Sequence, residues 1–582
     1  MRSRLCSRFL FACLLAAAVS ACERVPAPAA SAAPPPAPSA SSNGWARLRE
    51  DFLASYFKAE PAVAVYAGRH EFDGQLPDWS AAAIAREIQR LHTERKRAAA
   101  FTDAALSSAE RFERDSIIAH LDTDLFWMET AEAPFRNPAF YIDSLDPAPY
   151  LTRAYAPLQE RMRAYINFAH AVVRAAGQIK ANLRLPLARP LLEHGLSASR
   201  GFADFYRDDV PQVFASVADE ALQEKFRQAN GAVEAAMRDL AAWFTANRSA
   251  ATDDFALGAA KFTQMLSATE RVRTPLAELE EAGRADLARN LAALRAACAL
   301  FLPGKALHAC VDRAEENKPR GGPVEGARQQ LADLRNFIEA KGVVSIPASE
   351  QALVEEAPPY NRDNFAYIDT PGPYEKGAAS VYYIAPPDPS WPPQVQHDYL
   401  PGRADLLFTS VHEVWPGHFL QFLHSNRSGA MVNRVFVGYA FAEGWAHYAE
   451  EMMWEEGLGN GDPETHIGQL TNALLRNVRF ICAIGMHTHG MKLAESERLF
   501  REEAYADVAD AQQQAQRGAY DPAYLNYTMG KLMIRKLRDD WTRTRGGRAA
   551  WREFHDRFLS YGGPPIPMVR AAMLGNDAGA LF

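Results

Sequence analysis

Apolar residues recur three and four positions apart along most of the chain, which is the spacing of an amphipathic helix. Between positions 45 and 317 this pattern lies in segments rich in Ala, Leu, Arg and Glu, all of which favour helices. Proline-rich breaks interrupt it near positions 77, 134–149, 186–190 and 211. No repeat of fixed period connects the segments. The pattern predicts a mainly α-helical protein whose first half is a scaffold of helices.

The helical pattern fades between Pro319 and Pro393, where Pro and Gly become more frequent. Within this stretch, residues 380–384 have the sequence SVYYI, whose β-branched and aromatic residues predict a strand. The helical pattern returns at Arg403 and continues toward the C-terminus. We therefore expect a helical region over residues 45–318, followed by a second region over residues 319–582 that combines helices with a small β-sheet.

The first 22 residues have the features of a signal peptide. Arg2 and Arg4 precede an apolar segment, Phe9 to Val19, that is too short to span a bilayer comfortably. The segment ends in the letters VSAC, which resemble a bacterial lipobox, with cleavage before Cys22 and a lipid attached to it. The alternative is an ordinary secretory signal that happens to contain a cysteine.

Residues 23–44 are rich in Pro, Ala and Ser, and such a segment cannot bury enough apolar surface to fold. We expect it to form a semi-extended tether. No later run of about 18 apolar residues indicates a membrane crossing. The expected location is the bacterial periplasm, with the folded body anchored to a membrane, the outer membrane in our interpretation, by the lipid on Cys22.

The composition is typical of a large globular protein. Of 582 residues, 48% are hydrophobic and 23% are charged, and the net charge of −8 gives no support to nucleic-acid binding. Cys298 and Cys310 flank a Leu-Pro-Gly turn and are either bridged, as an oxidising periplasm would allow, or two buried thiols. Cys482 lies in an apolar run and is expected to be an inert core thiol.

The candidate chemistry begins at residues 411–418, whose sequence is VHEVWPGH. In the zinc-protease motif H-E-x-x-H, two His ligands four residues apart share a helix face and the Glu is the general base. Here His418 follows His412 by six residues, about 600° of rotation, which is the wrong side of an unbroken helix. Because Pro breaks helical hydrogen bonds and Gly adopts conformations that other residues avoid, we predict that Pro416-Gly417 forms a bulge that brings the two histidines together.

A third ligand is needed, because catalytic zinc usually has three protein ligands and a water. Glu443 follows His418 by 25 residues, which leaves room for a turn and a second helix packed across the first. His412, His418 and Glu443 would form the two-His, one-Glu ligand set of thermolysin, and Glu413 would be the base. The alternative is that the first three positions are ordinary helix and turn residues and that Glu443 is a solvated acid.

The strings HEVWPGHFLQ and AEGWAHYAE resemble the HExxPGH and EGWA signatures of a bacterial family known as a domain of unknown function. That family is regarded as metallopeptidase-like and as distantly similar to helical gluzincins such as the thimet-type oligopeptidases. Further likeness to the family lies at Pro61-Ala62-Val63, Gly68-Arg69-His70, Leu76-Pro77-Asp78, Gly485-Met486-His487-Thr488 and Tyr527-Thr528-Met529-Gly530.

The resemblance implies a multi-helix, gluzincin-like body with a central cleft, and the same ligand set and base. It also implies a group that stabilises the oxyanion, for which Tyr527 and His487 are the candidates; both can equally be core residues. Gluzincins place a short sheet beside the metal helix, and an edge strand of that sheet pairs with the substrate backbone. A small structural hairpin is the alternative.

These patterns together predict a metallopeptidase that binds Zn²⁺ and hydrolyses peptides. Two other classes stay open: a zinc hydrolase of non-peptide amides or esters, and a non-enzymatic peptide-binding lipoprotein with a relict metal site. Glu413 argues against the second of these, because zinc binding alone does not require a general base.

Overall fold

The computed structural model describes residues 40–358, 362, 365–375, 377–575 and 578–582, with side chains from residue 44 onward. These residues form a mainly α-helical protein with one small sheet, as the sequence predicts. The predicted signal peptide, Cys22 and most of the predicted tether lie outside the described residues. The first helix begins at Ala40, inside the segment predicted to be tether.

Fifteen helices make up the first part of the described chain. They are α1 (Ala40–Ala59), α2 (Pro61–Tyr66), α3 (Ala81–Ala99), α4 (Ser108–Leu125), α5 (Ala133–Arg136), α6 (Ala139–Ile142), α7 (Ala148–Thr152), α8 (Leu158–Asn182), α9 (Arg189–Asp208), α10 (Val210–Phe214), α11 (Glu220–Asn247), α12 (Ala259–Thr269), α13 (Leu276–Phe301), α14 (Leu307–Glu315) and α15 (Pro323–Lys341).

Three strands and eleven further helices follow in the described residues. They are β1 (Ala352–Glu356), β2 (Ala366–Asp369), β3 (Ser380–Ile384), α16 (Pro393–Tyr399), α17 (Arg403–Glu413), α18 (His418–Ser425), α19 (Met431–Val435), α20 (Tyr439–Glu455), α21 (Pro463–Thr488), α22 (Leu493–Glu503), α23 (Val508–Tyr520), α24 (Asn526–Thr542), α25 (Trp551–Ser560) and α26 (Ile566–Leu574). None of the helices in the described part of the chain combines the length and apolar character that a membrane-spanning segment requires.

The hydrophobic core is divided into several clusters. One is built from the apolar faces of α8, α9 and α11, and another from those of α1, α3 and α4. The largest cluster takes residues from α12, α13 and α14 as well as from helices of the second region. This core therefore runs across the boundary placed at residues 318/319 from the sequence, and α13 packs along α21 on the far side of it.

The sheet has the strand order β1–β3–β2, with β3 parallel to β1 and antiparallel to β2. The strand predicted at residues 380–384 is β3, the central strand, so only β1 and β2 present edges. Tyr382 of β3 is fully buried in the same core as Leu406 and Phe408 of α17. The sheet thus lies against the helix that carries His412, which is the arrangement the sequence led us to expect.

A disulfide joins Cys298 at the end of α13 to Cys310 in α14, so the bridged alternative is the one that the structure shows. Cys482 is a free, buried thiol, and burial raises its pKa to about 12. A thiol with so high a pKa is not ionised at neutral pH and is chemically inert, as predicted.

Candidate metal centre

The helix that carries His412 breaks where the Pro-Gly pair predicts a bulge. Helix α17 ends at Glu413, and α18 begins at His418. Between them Val414 leaves the helical region (φ −125°, ψ −71°), and the Trp415–Pro416 peptide bond is cis. The Gly417 amide then donates a hydrogen bond back to the Val411 carbonyl (2.9 Å), so the chain folds over the end of α17.

Only glycine fits at position 417, because the backbone there lies against the end of α17. A Cβ atom at this position would lie 1.8 Å from the carbonyl oxygen of His412, a distance that no side chain can accept. The break is also held from outside, because the indole N–H of Trp445 on α20 donates to the Pro416 carbonyl (2.8 Å) in a buried position. The Trp of the EGWA string therefore fixes the backbone between the two histidines.

Three side chains converge on one point beside the break. Glu443 Oε2 lies 3.2 Å from Nε2 of His412 and 3.4 Å from Nε2 of His418. Ligand atoms about 2.0–2.1 Å from a tetrahedral zinc ion are about 3.3–3.4 Å apart, so these separations fit a zinc ligand set. Among the described residues this is the one group of three or more His, Cys, Asp or Glu side chains placed to hold a metal ion.

A second layer of buried residues orients the first ligand. Nδ1 of His412 donates to Glu450 (2.7 Å), and the Glu450 carboxylate is in turn paired with Arg476 (3.1 Å). This hydrogen bond keeps a proton on Nδ1, so Nε2 is the nitrogen that faces Glu443 and that would bind a metal ion in exchange for its own proton. Nδ1 of His418 is buried and has no hydrogen-bond partner among the described residues.

The sequence left Glu450 as either a solvated acid or a support for a ligand, although a signal for the second role was present. Glu450 follows Glu443 by seven residues, about 700° of helical rotation and close to two full turns, so both carboxylates lie on one face of α20. The polar stripe includes His447 between them. Burying three polar side chains on one face of an otherwise apolar helix is costly unless each has a partner. The sequence therefore indicates that Glu443, His447 and Glu450 belong to one polar cluster.

The charges of the cluster reinforce one another. Burial and Arg476 lower the pKa of His412, but hydrogen bonds to Glu443 and Glu450 outweigh them and raise it to about 9. Glu443 is partly buried, yet the neighbouring His418 and His412 hold its pKa well below its usual range. The carboxylate of Glu443 is therefore ionised at neutral pH, which is the form that binds a metal ion.

Glu413 differs from the other acids of the site. Burial raises the pKa of its carboxyl, while the charges of His418 and His412 oppose the rise. The residue is only partly buried, and none of the hydrogen bonds or ion pairs of the described residues involves its carboxylate. A carboxylate beside the ligand cluster, without a structural partner and with a raised pKa, is suited to accepting and returning a proton.

A protein family matches most of this chain, including all the residues of the candidate metal centre. The family described as "Bacterial protein of unknown function (DUF885)" matches residues 61–573. The chain belongs to this family. Membership, predicted from the HEVWPGH and EGWA strings, is thus confirmed. No curated protein matches the chain.

Two solved structures share the fold of this family member. One is a proposed lipoprotein of unknown function from Shewanella oneidensis, 22% identical, with a TM-score of 0.75 over 91% of this chain and 99% of that chain. The other is a proposed lipoprotein from Colwellia psychrerythraea, 17% identical, with a TM-score of 0.76 over 91% of this chain and 98% of that chain. At these identities the likeness establishes the fold.

Tyr527 of the family's Y-x-x-G string lies beside the ligand cluster. Its ring stacks on that of His412, with centroids 6.2 Å apart and 19° between the planes. Helices α20 and α24 cross closely enough for this because Gly444 meets Gly530: a Cβ on Gly444 would lie 2.5 Å from the Cα of Gly530. The glycine after Glu443 and the glycine three residues after Tyr527 therefore bring the two side chains into one site.

His487, the other candidate for oxyanion stabilisation, is not at the site. Its Nδ1 accepts a hydrogen bond from the Leu257 amide (3.2 Å), and its Nε2 donates to the Gly518 carbonyl (2.7 Å). It follows Arg476, which contacts His412, by eleven residues of α21, or about 16 Å along the helix. Both ring nitrogens join backbone segments, so we replace the predicted catalytic role with a structural one.

The sequence allows two roles for each of two further residues. His447, one turn after Glu443, would either support a ligand or touch substrate; it is completely buried, and its Nδ1 lies 3.3 Å from Glu450, which fits the first role. Arg479 would either bind a carboxylate terminus or lie on the helix surface; it is 8% exposed and lies over the ring of Tyr527, with the guanidinium carbon 4.9 Å from the ring centre, so the surface alternative is wrong. Both residues face inward because α21 and α20 pack against neighbours on nearly every side.

A cavity of about 410 Å³ lies near Tyr527, although none of His412, His418 and Glu443 lines it. Its wall includes Tyr439, whose ring is 5.8 Å from that of Tyr527 and whose hydroxyl bonds Arg517 (2.8 Å) and Asp521 (3.1 Å). Apolar rings and several carboxyl groups complete the wall. Tyr439 thus links the wall of this cavity to Tyr527.

Glu270 is the most deeply buried acid of that cavity. Its Oε1 accepts hydrogen bonds from the Ala440 amide (3.2 Å) and from Nδ2 of Asn526 (2.9 Å), while Oε2 has no partner among the described residues. Burial raises the pKa of this carboxyl to about 8, so the folded protein holds it protonated at neutral pH.

This protonation predicts a pH-dependent stability. Because the carboxyl ionises near pH 4.5 in the unfolded chain and near pH 8 in the folded one, the free energy of unfolding should fall between these values, by at most about 5 kcal/mol. Glu270→Gln should lose this part of the pH dependence and be more stable than the native chain at pH 8.5. Urea unfolding at pH 5.5 and 8.5 measures the free energy of unfolding of both proteins. An equal change between the two pH values in native protein and variant would show that Glu270 titrates normally.

Proposed function

We propose that this protein is a zinc-dependent peptidase in which Glu413 is the general base. The observation that carries the proposal is the meeting of Nε2 of His412, Nε2 of His418 and Oε2 of Glu443 at zinc-ligand spacing, beside a carboxylate without a structural partner. A purely structural role for these residues would not explain why the Glu413 carboxylate is partly exposed and has no hydrogen-bond or ion-pair partner among the described residues.

Each residue then has a defined task. A zinc ion bound by the two histidines and Glu443 would supply Lewis-acid activation of water and of a substrate carbonyl. Glu413 takes a proton from the attacking water and returns it to the nitrogen of the leaving amine. Glu450 and Arg476 hold the ring of His412 in the orientation and tautomer that the ligand set needs.

Tyr527 is the residue best placed to stabilise negative charge on the carbonyl oxygen. It lies against His412, and three guanidinium groups surround its ring, which favours hydrogen-bond donation to an anion. The role is that of a donor, so the effect of its loss should be on the chemical step.

We expect Tyr527→Phe to lower kcat by about 10²-fold, because one donor to the oxyanion is lost while the ring and its packing remain. KM and the zinc content should change little. Steady-state kinetics on a fluorogenic peptide measure both constants. An unchanged kcat would remove Tyr527 from the mechanism and leave it as a packing residue.

The proposal extends to location. The signal-like segment ends in VSAC, and two similar solved structures are described as proposed lipoproteins. We infer that Cys22 carries a lipid that holds the enzyme at the bacterial envelope. Metabolic labelling with a fatty acid should mark the native protein and not Cys22→Ala, and labelling of both would exclude this anchor.

The central experiment pairs metal analysis with a peptide digest. Protein purified without chelator should contain one zinc ion per chain, and a peptide library incubated with it should give new termini by mass spectrometry. His412→Ala and Glu443→Ala should lose both zinc and cleavage, since each removes one of three ligands. Cleavage of acyl esters but of no peptide would replace the peptidase with an ester hydrolase. Native protein without zinc affinity would overturn the proposal.

A further inference from the structure

Arg479 is a buried cation without a counterion. The residue lies in α21 and is 8% exposed, and its Nε donates to Oε1 of Gln514 (2.8 Å). None of the ion pairs between described residues includes it. Burying an unpaired guanidinium is costly, so proteins retain one mainly where a partner is supplied from outside.

Two neighbouring arginines have the acidic partners that Arg479 lacks. Arg476, Arg479 and Arg517 all place their guanidinium carbons 4.9–5.8 Å from the centre of the Tyr527 ring. Arg476 is neutralised by Glu450 (3.1 Å), and Arg517 by Asp521 (3.2 Å). Arg479 forms no such ion pair with the described residues.

Asp510, an acid near Arg479, does not contact it. Asp510 accepts a hydrogen bond from Nε2 of Gln514 (3.0 Å), and Gln514 stands between the acid and the arginine. Gln514 thus occupies one nitrogen of the guanidinium and fixes its plane. The two terminal nitrogens have no hydrogen bond to described residues, and they are the pair that would bind a carboxylate end-on through two hydrogen bonds.

The position of this cation relative to the ligand cluster limits what it can bind. Tyr527 separates them: its ring centre is 4.9 Å from the Arg479 guanidinium carbon and 6.2 Å from the ring centre of His412. The guanidinium is therefore within about 11 Å of the His412 ring. Because an extended peptide advances about 3.3–3.6 Å per residue, a carboxylate bound there is at most about three residues from a carbonyl at the cluster.

We propose that Arg479 binds the free C-terminal carboxylate of the substrate, so that the enzyme removes one to three residues from the C-terminus of peptides. This rests on the proposed peptidase function and narrows it to a carboxypeptidase class. The shared chemistry is a carboxylate, which an acidic side chain could also supply, so the test must separate the two sources.

Three peptides test this directly: one sequence as the free acid, the same sequence as the C-terminal amide, and that amide with its last residue replaced by Glu. We expect kcat/KM for the acid to exceed that for both amides by about 10²-fold, as for a desolvated charge-assisted pair. Arg479→Gln should lower the value for the acid by about 10²-fold and leave the amides within about threefold. Arg479→Lys keeps the charge but not the planar pair of N–H donors. Its kcat/KM for the acid should lie between those of the native protein and Arg479→Gln.

Binding to the Glu413→Gln protein gives a second readout that needs no turnover. Calorimetry should show tight binding of the acid, weaker binding of the amides, and loss of this preference on adding Arg479→Gln. Arg498→Gln, an exposed arginine of α22, is the matched control, and thermal unfolding checks that each variant is folded.

The outcomes separate the two proposals. Equal hydrolysis of acid and amides would overturn the carboxylate site and leave the peptidase intact, and preference for the Glu-ended amide would make the partner an acidic side chain. Arg479-dependent binding of the acid without cleavage of any peptide would support the site and overturn the peptidase. Absence of both binding and cleavage would overturn both.

Discussion

Replacing Glu413 by Gln is expected to leave one zinc ion per chain and to lower kcat on peptides by roughly 10³-fold. Gln has the shape of Glu but cannot take a proton from water or return it to a leaving amine. Glu413 makes no hydrogen bond or ion pair with the described residues, so its replacement should cost little stability. The same substitution removes a partly buried acid whose pKa burial raises, so the variant should unfold at an equal or higher temperature.

The measurement is kcat on a fluorogenic peptide together with zinc content and thermal unfolding of the same preparation. Glu502→Gln, an exposed acid of α22, serves as the control and should match the native protein in all three. Full activity of Glu413→Gln would exclude Glu413 as the base. Loss of zinc with loss of activity would instead mean that Glu413 contributes to the ligand set.

The parts of the site that follow from local backbone chemistry could be predicted from the sequence. Pro416 and Gly417 restrict the chain in known ways, so a break before His418 could be expected without any neighbour. The strand at residues 380–384 and the early position of Glu443 in its helix are similarly local. The fold class follows from a helical period maintained over most of the chain.

The parts that depend on packing between distant segments could not. His487 stands in a motif-like string, but its two nitrogens are taken by the backbone at Leu257 and Gly518, more than 200 and 30 residues away. Arg479 resembled a surface residue because a single helix does not show which faces its neighbours cover. Periodicity marks one buried stripe, whereas α21 is covered on several sides by α13, α17 and α23.

Glu450 depends most on packing between distant segments, because its partners lie on α17 and α21. Its replacement is the second change for which we expect a large effect. Glu450→Gln should weaken zinc binding by about 10–100-fold, because the neutral amide no longer fixes the charge and orientation of His412. It should also lower the free energy of unfolding by about 3 kcal/mol, since Arg476 is 7% exposed and would lose its only carboxylate partner among the described residues. Competition with a chelator measures the first effect, and urea unfolding in the presence of a chelator measures the second.

The two effects have different causes and can be separated. In Glu450→Gln combined with Arg476→Met, the unpaired charge is gone, so most of the lost stability should return because an apolar chain can replace a buried ion. The zinc affinity should stay low, because His412 still lacks its carboxylate acceptor. Recovery of both in the double variant would mean that Glu450 acts on the metal centre only through the fold. Recovery of stability alone would assign it a direct part in holding the ligand.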